Sequence, residues 1–120
     1  MELIINKKDE NMIIAATSTG PSTESYVSEK FGRCSYFILF NDQTKETKSI
    51  ANSAETMEHG AGPKAAQLII KENAEVVLTG AVGGNAEEVL KKAGIKIVTG
   101  LKNNMKVAGV IDLYLTNKLS

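Results

Sequence analysis

The alternation of apolar and polar positions divides the chain into short elements of two periods. Residues 12–16, Met-Ile-Ile-Ala-Ala, are apolar without alternation, as expected of a strand covered on both faces, and this run is placed at the centre of a sheet. Residues 36–40 and 46–51 read as two strands joined by Asn41, Asp42, Gln43, Thr44 and Lys45, a hairpin loop of turn-forming residues. The period then changes. Pro63 suits a first helical position, Ala65, Ala66, Ile69 and Ile70 fall on one helical face, and Asn73 closes the helix. Residues 75–79 form another buried strand. Asn85 is placed as the N-cap of the next helix, with Glu88 where a capping-box carboxylate belongs, Ala86, Val89, Leu90 and Ala93 as the buried face, and Gly94 as the stop. A strand over residues 95–98 and a last helix over residues 104–115 complete the series; Val107, Ala108, Ile111, Tyr114 and Leu115 are its core face.

A hairpin followed by alternating helices and strands predicts a mixed sheet with helices on both faces. No repeat or linker interrupts the order, so the expectation is one domain over residues 1–120. Residues 1–6 are a short apolar run and residues 7–11 a solvated turn, an N-terminal extension compatible with an added edge strand; residues 12–119 carry the domain proper. The polar stretches 17–30 and 52–60 have neither period and are expected to be the least ordered, the first as either a binding loop or a disordered one.

Charge and cysteine content narrow the classes. Fourteen Lys and Arg balance fourteen Asp and Glu, which leaves no global field for a polyanion and makes nucleic acid a poor partner. The single cysteine forms no intrachain disulfide, and no signal peptide or membrane-length apolar run is visible, so a cytoplasmic, membrane-free protein is expected.

Candidate chemistry gathers around two residues. Cys34 follows Phe31-Gly32-Arg33, where the fixed charge of Arg33 is placed to lower the thiol pKa and offer a metal ligand or redox thiol; the plainer reading is a small buried packing residue. His59 lies in the glycine-rich turn Met57-Glu58-His59-Gly60-Ala61-Gly62 before the first long helix, either a ligand near the strand ends or an exposed polar residue. Together they make a borderline pair for iron or another transition metal. Two ligands are too few for a closed zinc site, and one thiolate holds no conventional iron–sulfur cluster. A preassembled cluster brings its own sulfides and needs only such anchors, with Arg33, Lys64 and backbone amides offsetting its negative charge. The turn from Gly80 to Asn85 suits either an anion or tight packing, and neither GxxxxGK[ST] nor GxGxxG is present in it.

Taken in order, Phe31-Gly32-Arg33 with Tyr36-Phe37, His59-Gly60 with Gly62, Gly80 with Gly84-Asn85-Ala86 and Leu90, and Gly94-Ile95 resemble the nitrogenase accessory-factor family. That family comprises the NifX-like proteins and the carboxy-terminal part of NifB, the dinitrogenase iron–molybdenum cofactor biosynthesis proteins. The resemblance implies a three-layer α/β/α ribonuclease-H-like fold whose five-stranded mixed sheet has its second strand antiparallel. It implies non-enzymatic binding or carriage of an iron–sulfur or iron–molybdenum cluster precursor, exchanged with a metallocluster donor or acceptor protein. The cofactor-binding residues are then Arg33, Cys34, His59, Gly60 and Lys64, with Cys34 and His59 on the metal. Lys30 stands where the family commonly has histidine, and Cys34 where it often has a small residue. Two other classes compete. A two-metal nuclease on this fold needs clustered carboxylates, and the first strand offers Ala15 and Ala16 instead. A small-anion, nucleotide or protein-interaction module needs only the polar loop or the Gly80 turn.

Overall fold

The computed structural model describes residues 12–119, so the extension expected over residues 1–11 lies outside the described residues. The central apolar run becomes strand β1, Ile13–Ser18, which pairs antiparallel with β2, Tyr36–Asn41; β2 in turn pairs antiparallel with β3, Thr47–Ala51. The chain then crosses through helix α1, Ala61–Lys71, to β4, Val76–Leu78, which lies parallel to β1. Helix α2, Gly84–Lys92, leads to β5, Lys96–Val98, parallel to β4, and α3, Val107–Leu115, follows. Among the described residues the strand order is β3-β2-β1-β4-β5 with only β2 reversed. This is the mixed three-layer sheet of the ribonuclease-H-like class.

Side-chain alternation along β1 splits the core in two. Ala15 faces one layer with Phe31, Phe37, Ile69, Val77 and Leu90, beneath α1 and α2. Ile14 and Ala16 face the other with Ile38, Leu78, Val107 and Val110, beneath α3. Each such aliphatic side chain withdrawn from water contributes about 1.5–3 kcal/mol before entropy.

All three helices stop in the same way. Asn73, Gly94 and Asn117 take left-handed φ angles of 64°, 77° and 63° one residue past the C-cap. The N–H two residues past each C-cap then returns to the carbonyl five residues before it: Ala74 to Ile69 at 3.0 Å, Ile95 to Leu90 at 3.0 Å and Lys118 to Leu113 at 2.8 Å. These are Schellman stops, and they satisfy carbonyls that would otherwise face outward unpaired.

The helix starts differ from the expectation. The N-cap of α2 is Gly83, and Asn85 lies inside the first turn with no capping bond, because Gly83 holds the extended φ and ψ of −72° and 161° that a cap requires. In α1 the cap is Gly60, left-handed at φ 76°, and Pro63 is the third helical residue, where its missing N–H is still harmless.

The stretch 17–30 is also more structured than its polarity suggests. Thr17 and Ser18 belong to β1 and are fully buried. Thr17 Oγ1 donates to the Ser28 carbonyl at 2.6 Å, the Ser28 N–H returns to the Thr17 carbonyl at 3.0 Å, and the Val27 N–H reaches the Met105 carbonyl at 2.9 Å. Hydroxyls that pair with carbonyls turn a polar sequence into a bonded strap.

Candidate functional site: paired helix starts at one edge of the sheet

Because β1, β4 and β5 are parallel and β2 is reversed, the ends of β1, β4 and β5 and the start of β2 lie at one edge, where Ser18 is paired with Tyr36 and Tyr36 with Ala51. The 3-10 turn, the loop before α1 and the first turn of α1 at that edge carry Arg33, Cys34, His59, Gly60 and Lys64. In open α/β sheets this is the edge at which ligands bind.

Glycine contacts assemble the loops. Gly80 lies so close to Glu29 that a Cβ there would stand 2.5 Å from the Glu29 carbonyl oxygen and 2.7 Å from its Cα. That approach lets the Ala81 N–H bond the Glu29 carbonyl at 2.7 Å and the Phe31 N–H bond the Ala81 carbonyl at 3.0 Å. The strap then turns through a short 3-10 helix, Phe31–Arg33, which packs on α1: a Cβ on Gly32 would meet Gly62 Cα at 2.9 Å, and one on Gly62 would meet Ala86 Cβ at 3.0 Å. The turn thus meets the start of α1 backbone to backbone, and the start of α1 lies against the Ala86 side chain of α2.

Between them runs an open groove, lined by Lys30 to Arg33, Ala61, Gly62 and Ala81 to Gly83, and continued by Gly60, Pro63, Gly84 and Asn85. The leading N–H groups of a helix have no intrahelical acceptor, and neither α1 nor α2 has a side-chain cap to satisfy them. Those N–H groups and the positive ends of two helix dipoles therefore meet at one place. Gly83 and Gly84 have nothing within 4 Å of where a Cβ would stand, and neither has a left-handed φ. Packing and conformation do not require glycine there; the space outside them is free for a ligand.

Arg33 lies exposed at this groove and its Nη1 donates to the carbonyls of Glu55, at 2.9 Å, and Met57. Its charge is balanced by no carboxylate within salt-bridge distance among the described residues. His59, Gly60 and Lys64 are exposed at the α1 start.

Cys34 takes the plainer of its two readings, a small buried packing residue, and not that of a thiol lowered by Arg33. It has no exposed surface and lies in the core layer with Phe31 and Phe37, whose ring centroids are 5.4 Å apart. Burial pushes its thiol up from 9.0 to about 12, against the smaller opposing effects of the Asn52 amide and the backbone at Ser18 and Cys34. The expected lowering by Arg33 is absent because the guanidinium turns outward to the 55–57 carbonyls. No group of three or more His, Cys, Asp or Glu side chains able to hold a metal ion occurs among the described residues.

The raised thiol pKa sets a pH dependence. The folded chain keeps its proton up to about pH 12 while the unfolded chain loses it near 9.0. The stabilisation is whole below that lower value and is lost as pH rises through the window, at up to about 1.4 kcal/mol per pH unit. Urea unfolding of Cys34→Ala beside the parent from pH 8 to about 11.5 is expected to show a shallower alkaline decline in the variant; parallel curves exclude this origin.

Asn52 escaped the sequence reading. It is 5 % exposed, and its Nδ2 donates to the carbonyls of Gly32, at 3.1 Å, and Cys34, at 2.9 Å, while its Oδ1 accepts the Ala54 N–H at 3.0 Å. The available signal was a polar residue directly after the last strand residue of a hairpin. Thr17 and Thr79, whose hydroxyls are 2.9 Å apart in the interior, were likewise read as loop and strand end.

The sheet order defines a ribonuclease-H-like α/β/α protein with an open groove between two helix starts at this edge. The family model described as dinitrogenase iron-molybdenum cofactor matches residues 10–117, and the chain belongs to that family. Among solved structures it is similar to the apo form of the orange protein from Desulfovibrio gigas, with 33% identity, a TM-score of 0.87 and 92% of each chain covered. It is also similar to a candidate NifB protein from Thermotoga, with 30% identity, a TM-score of 0.80 and 91% of each chain covered. No curated protein matches the sequence. No helix among the described residues is long and apolar enough to cross a membrane.

Proposed function

We propose that this protein binds and carries an anionic iron–sulfur or iron–molybdenum cluster precursor, without turnover, and exchanges it with a metallocluster donor or acceptor protein. The observation that carries this reading is the convergence of two uncapped helix starts on one groove whose outer glycines, Gly83 and Gly84, leave open space. Backbone N–H groups of residues 61, 62 and 84–86 donate to the sulfides or oxygens of the cargo. Arg33 and Lys64 supply charge, His59 and Gly60 form the rim, and family membership supplies the chemical class. Cys34 supports the groove from below as a protonated packing residue rather than as its sulfur ligand.

Anaerobic incubation with tetrathiomolybdate or an iron–sulfide precursor, followed by gel filtration and metal analysis, tests the reading. The parent is expected to retain metal, Arg33→Glu and Lys64→Glu to retain less, and Cys34→Ala to retain as much as the parent. Absence of metal from the parent overturns the function, and selective loss in Cys34→Ala restores a sulfur ligand. A small-anion or nucleotide module would use the same amides; retention of phosphate or nucleotide in place of the molybdenum and iron species identifies it.

A further inference from the structure

The wall of the groove that carries Arg33 is the Phe31–Arg33 turn, and behind it lies the loop 52–60, which reaches the groove itself at Gly60 before the α1 start. At the surface they are joined by Arg33 and by Ser35 Oγ, which donates to Glu55 Oε2 at 3.0 Å. Beneath them one buried side chain joins both. An amide side chain has two N–H donors and one oxygen, and Asn52 directs them across the two segments: its Nδ2 donates to the Gly32 and Cys34 carbonyls, with a longer contact of 3.7 Å to Cys34 Sγ, and its Oδ1 accepts the Ala54 N–H. Its own backbone N–H adds a bond to the Ser35 carbonyl at 2.9 Å.

Resting on the cargo reading above, we propose that Asn52 is the positioning residue of the groove. By holding the Gly32 carbonyl it fixes the Gly32 Cα against Gly62, and so sets the distance between the Arg33 charge and the leading amides of α1. Cargo recognition requires both to face one anion at once, and a displaced turn separates them. Asn52 touches no ligand; it acts through Gly32. Nearly the same shape without the donors, as in Asn52→Asp, sets a carboxylate against two carbonyl oxygens and drives the turn away from α1. Protonation of that carboxyl returns one donor and draws the turn back.

The test is amide NMR of the full chain with tetrathiomolybdate as probe. In the parent, the probe is expected to shift the amides of Arg33, Ala61, Gly62, Gly84 and Asn85 together. In N52D the core amides of Ile14 and Val77 stay in place, while affinity falls about tenfold or more, as for outer-shell partners of bound metals. The remaining shifts are confined to Gly84 and Asn85. Without probe, the N52D amides of Gly32, Ala61 and Gly62 differ from the parent at neutral pH and move back toward it as the new carboxyl is protonated. Parent-like affinity and parent-like Gly32 and Gly62 amides in folded N52D overturn the proposal. If the parent itself binds no probe, the cargo reading fails while the ligand-free spectra still decide the positioning role. Should N52D not fold, N52S, whose shorter side chain keeps an oxygen near Ala54 and loses the reach to Gly32, carries the same comparison with the same deciding outcomes.

Discussion

Gly80→Ala is expected to destabilise the fold by about 3 kcal/mol, a fall of roughly 10 °C in Tm. The added methyl would stand 2.5 Å, 2.7 Å and 2.9 Å from three backbone atoms of Glu29, none of which belongs to a side chain that can rotate away. Relief requires the strap to shift, which stretches the Ala81 N–H to Glu29 bond and the Phe31 N–H to Ala81 bond, now 2.7 Å and 3.0 Å. The Phe31 ring is buried in the core layer below, so the strap does not move without disturbing that packing. Gly83→Ala, three residues on with open space around its Cβ position, is the control; it puts a poorer N-cap on α2 and is expected to lower Tm by no more than about 4 °C. Equal Tm values for the two variants would remove the close approach as the reason for glycine at position 80.

The second large effect is on binding and leaves the fold alone. Gly84 is the first residue of α2, helical in φ, with nothing near its Cβ position, so Gly84→Glu imposes no clash and replaces the poorest ordinary helix former. A carboxylate in the first turn also complements the helix dipole. The variant is therefore expected to match or exceed the parent in stability. Its charge nevertheless occupies the groove where the anionic cargo is proposed to lie. Two unit charges about 5 Å apart at an effective dielectric near 20 repel by about 3 kcal/mol, enough to weaken metal retention about a hundredfold. Metal analysis after gel filtration, beside a thermal melt, checks both halves. Undiminished binding would place the cargo elsewhere, whereas a collapse in Tm would make Gly84 a structural residue.

The elements of the sheet were legible because their signals are local. The unalternated run at residues 12–16, the hairpin loop at residues 41–45 and the stops at Asn73 and Gly94 each report a conformation that neighbouring residues impose. The glycine-rich starts of α1 and α2 were legible as turns, and the groove between them was not. Its stacking depends on Gly32 meeting Gly62 and Gly62 meeting Ala86, contacts between residues far apart in sequence or on separate helices. Cys34 shows the same limit. Whether a thiol at the mouth of a strand faces the loop or the core depends on the last few dihedral angles of a 3-10 turn, and here Cys34 joins Phe31 and Phe37 in the interior. Asn52 was hidden for the opposite reason: an asparagine after a strand usually serves a turn, and its reach to Gly32 appears only once the two segments are side by side.

The uncapped helix starts have a consequence for how this surface responds to mutation. Groups supplied by the main chain survive replacement of the side chains around them, so alanine scanning along residues 60–64 and 83–86 passes over the donors themselves. A scan of that kind registers Lys64 and leaves the centre of the groove blank. Sequence can also drift at positions such as Asn85 while the recognition surface stays the same, provided no bulk grows into the opening. The discriminating experiment is therefore addition rather than removal: side chains installed one at a time at Gly83 and Gly84 trace the outline of whatever occupies the space in front of them.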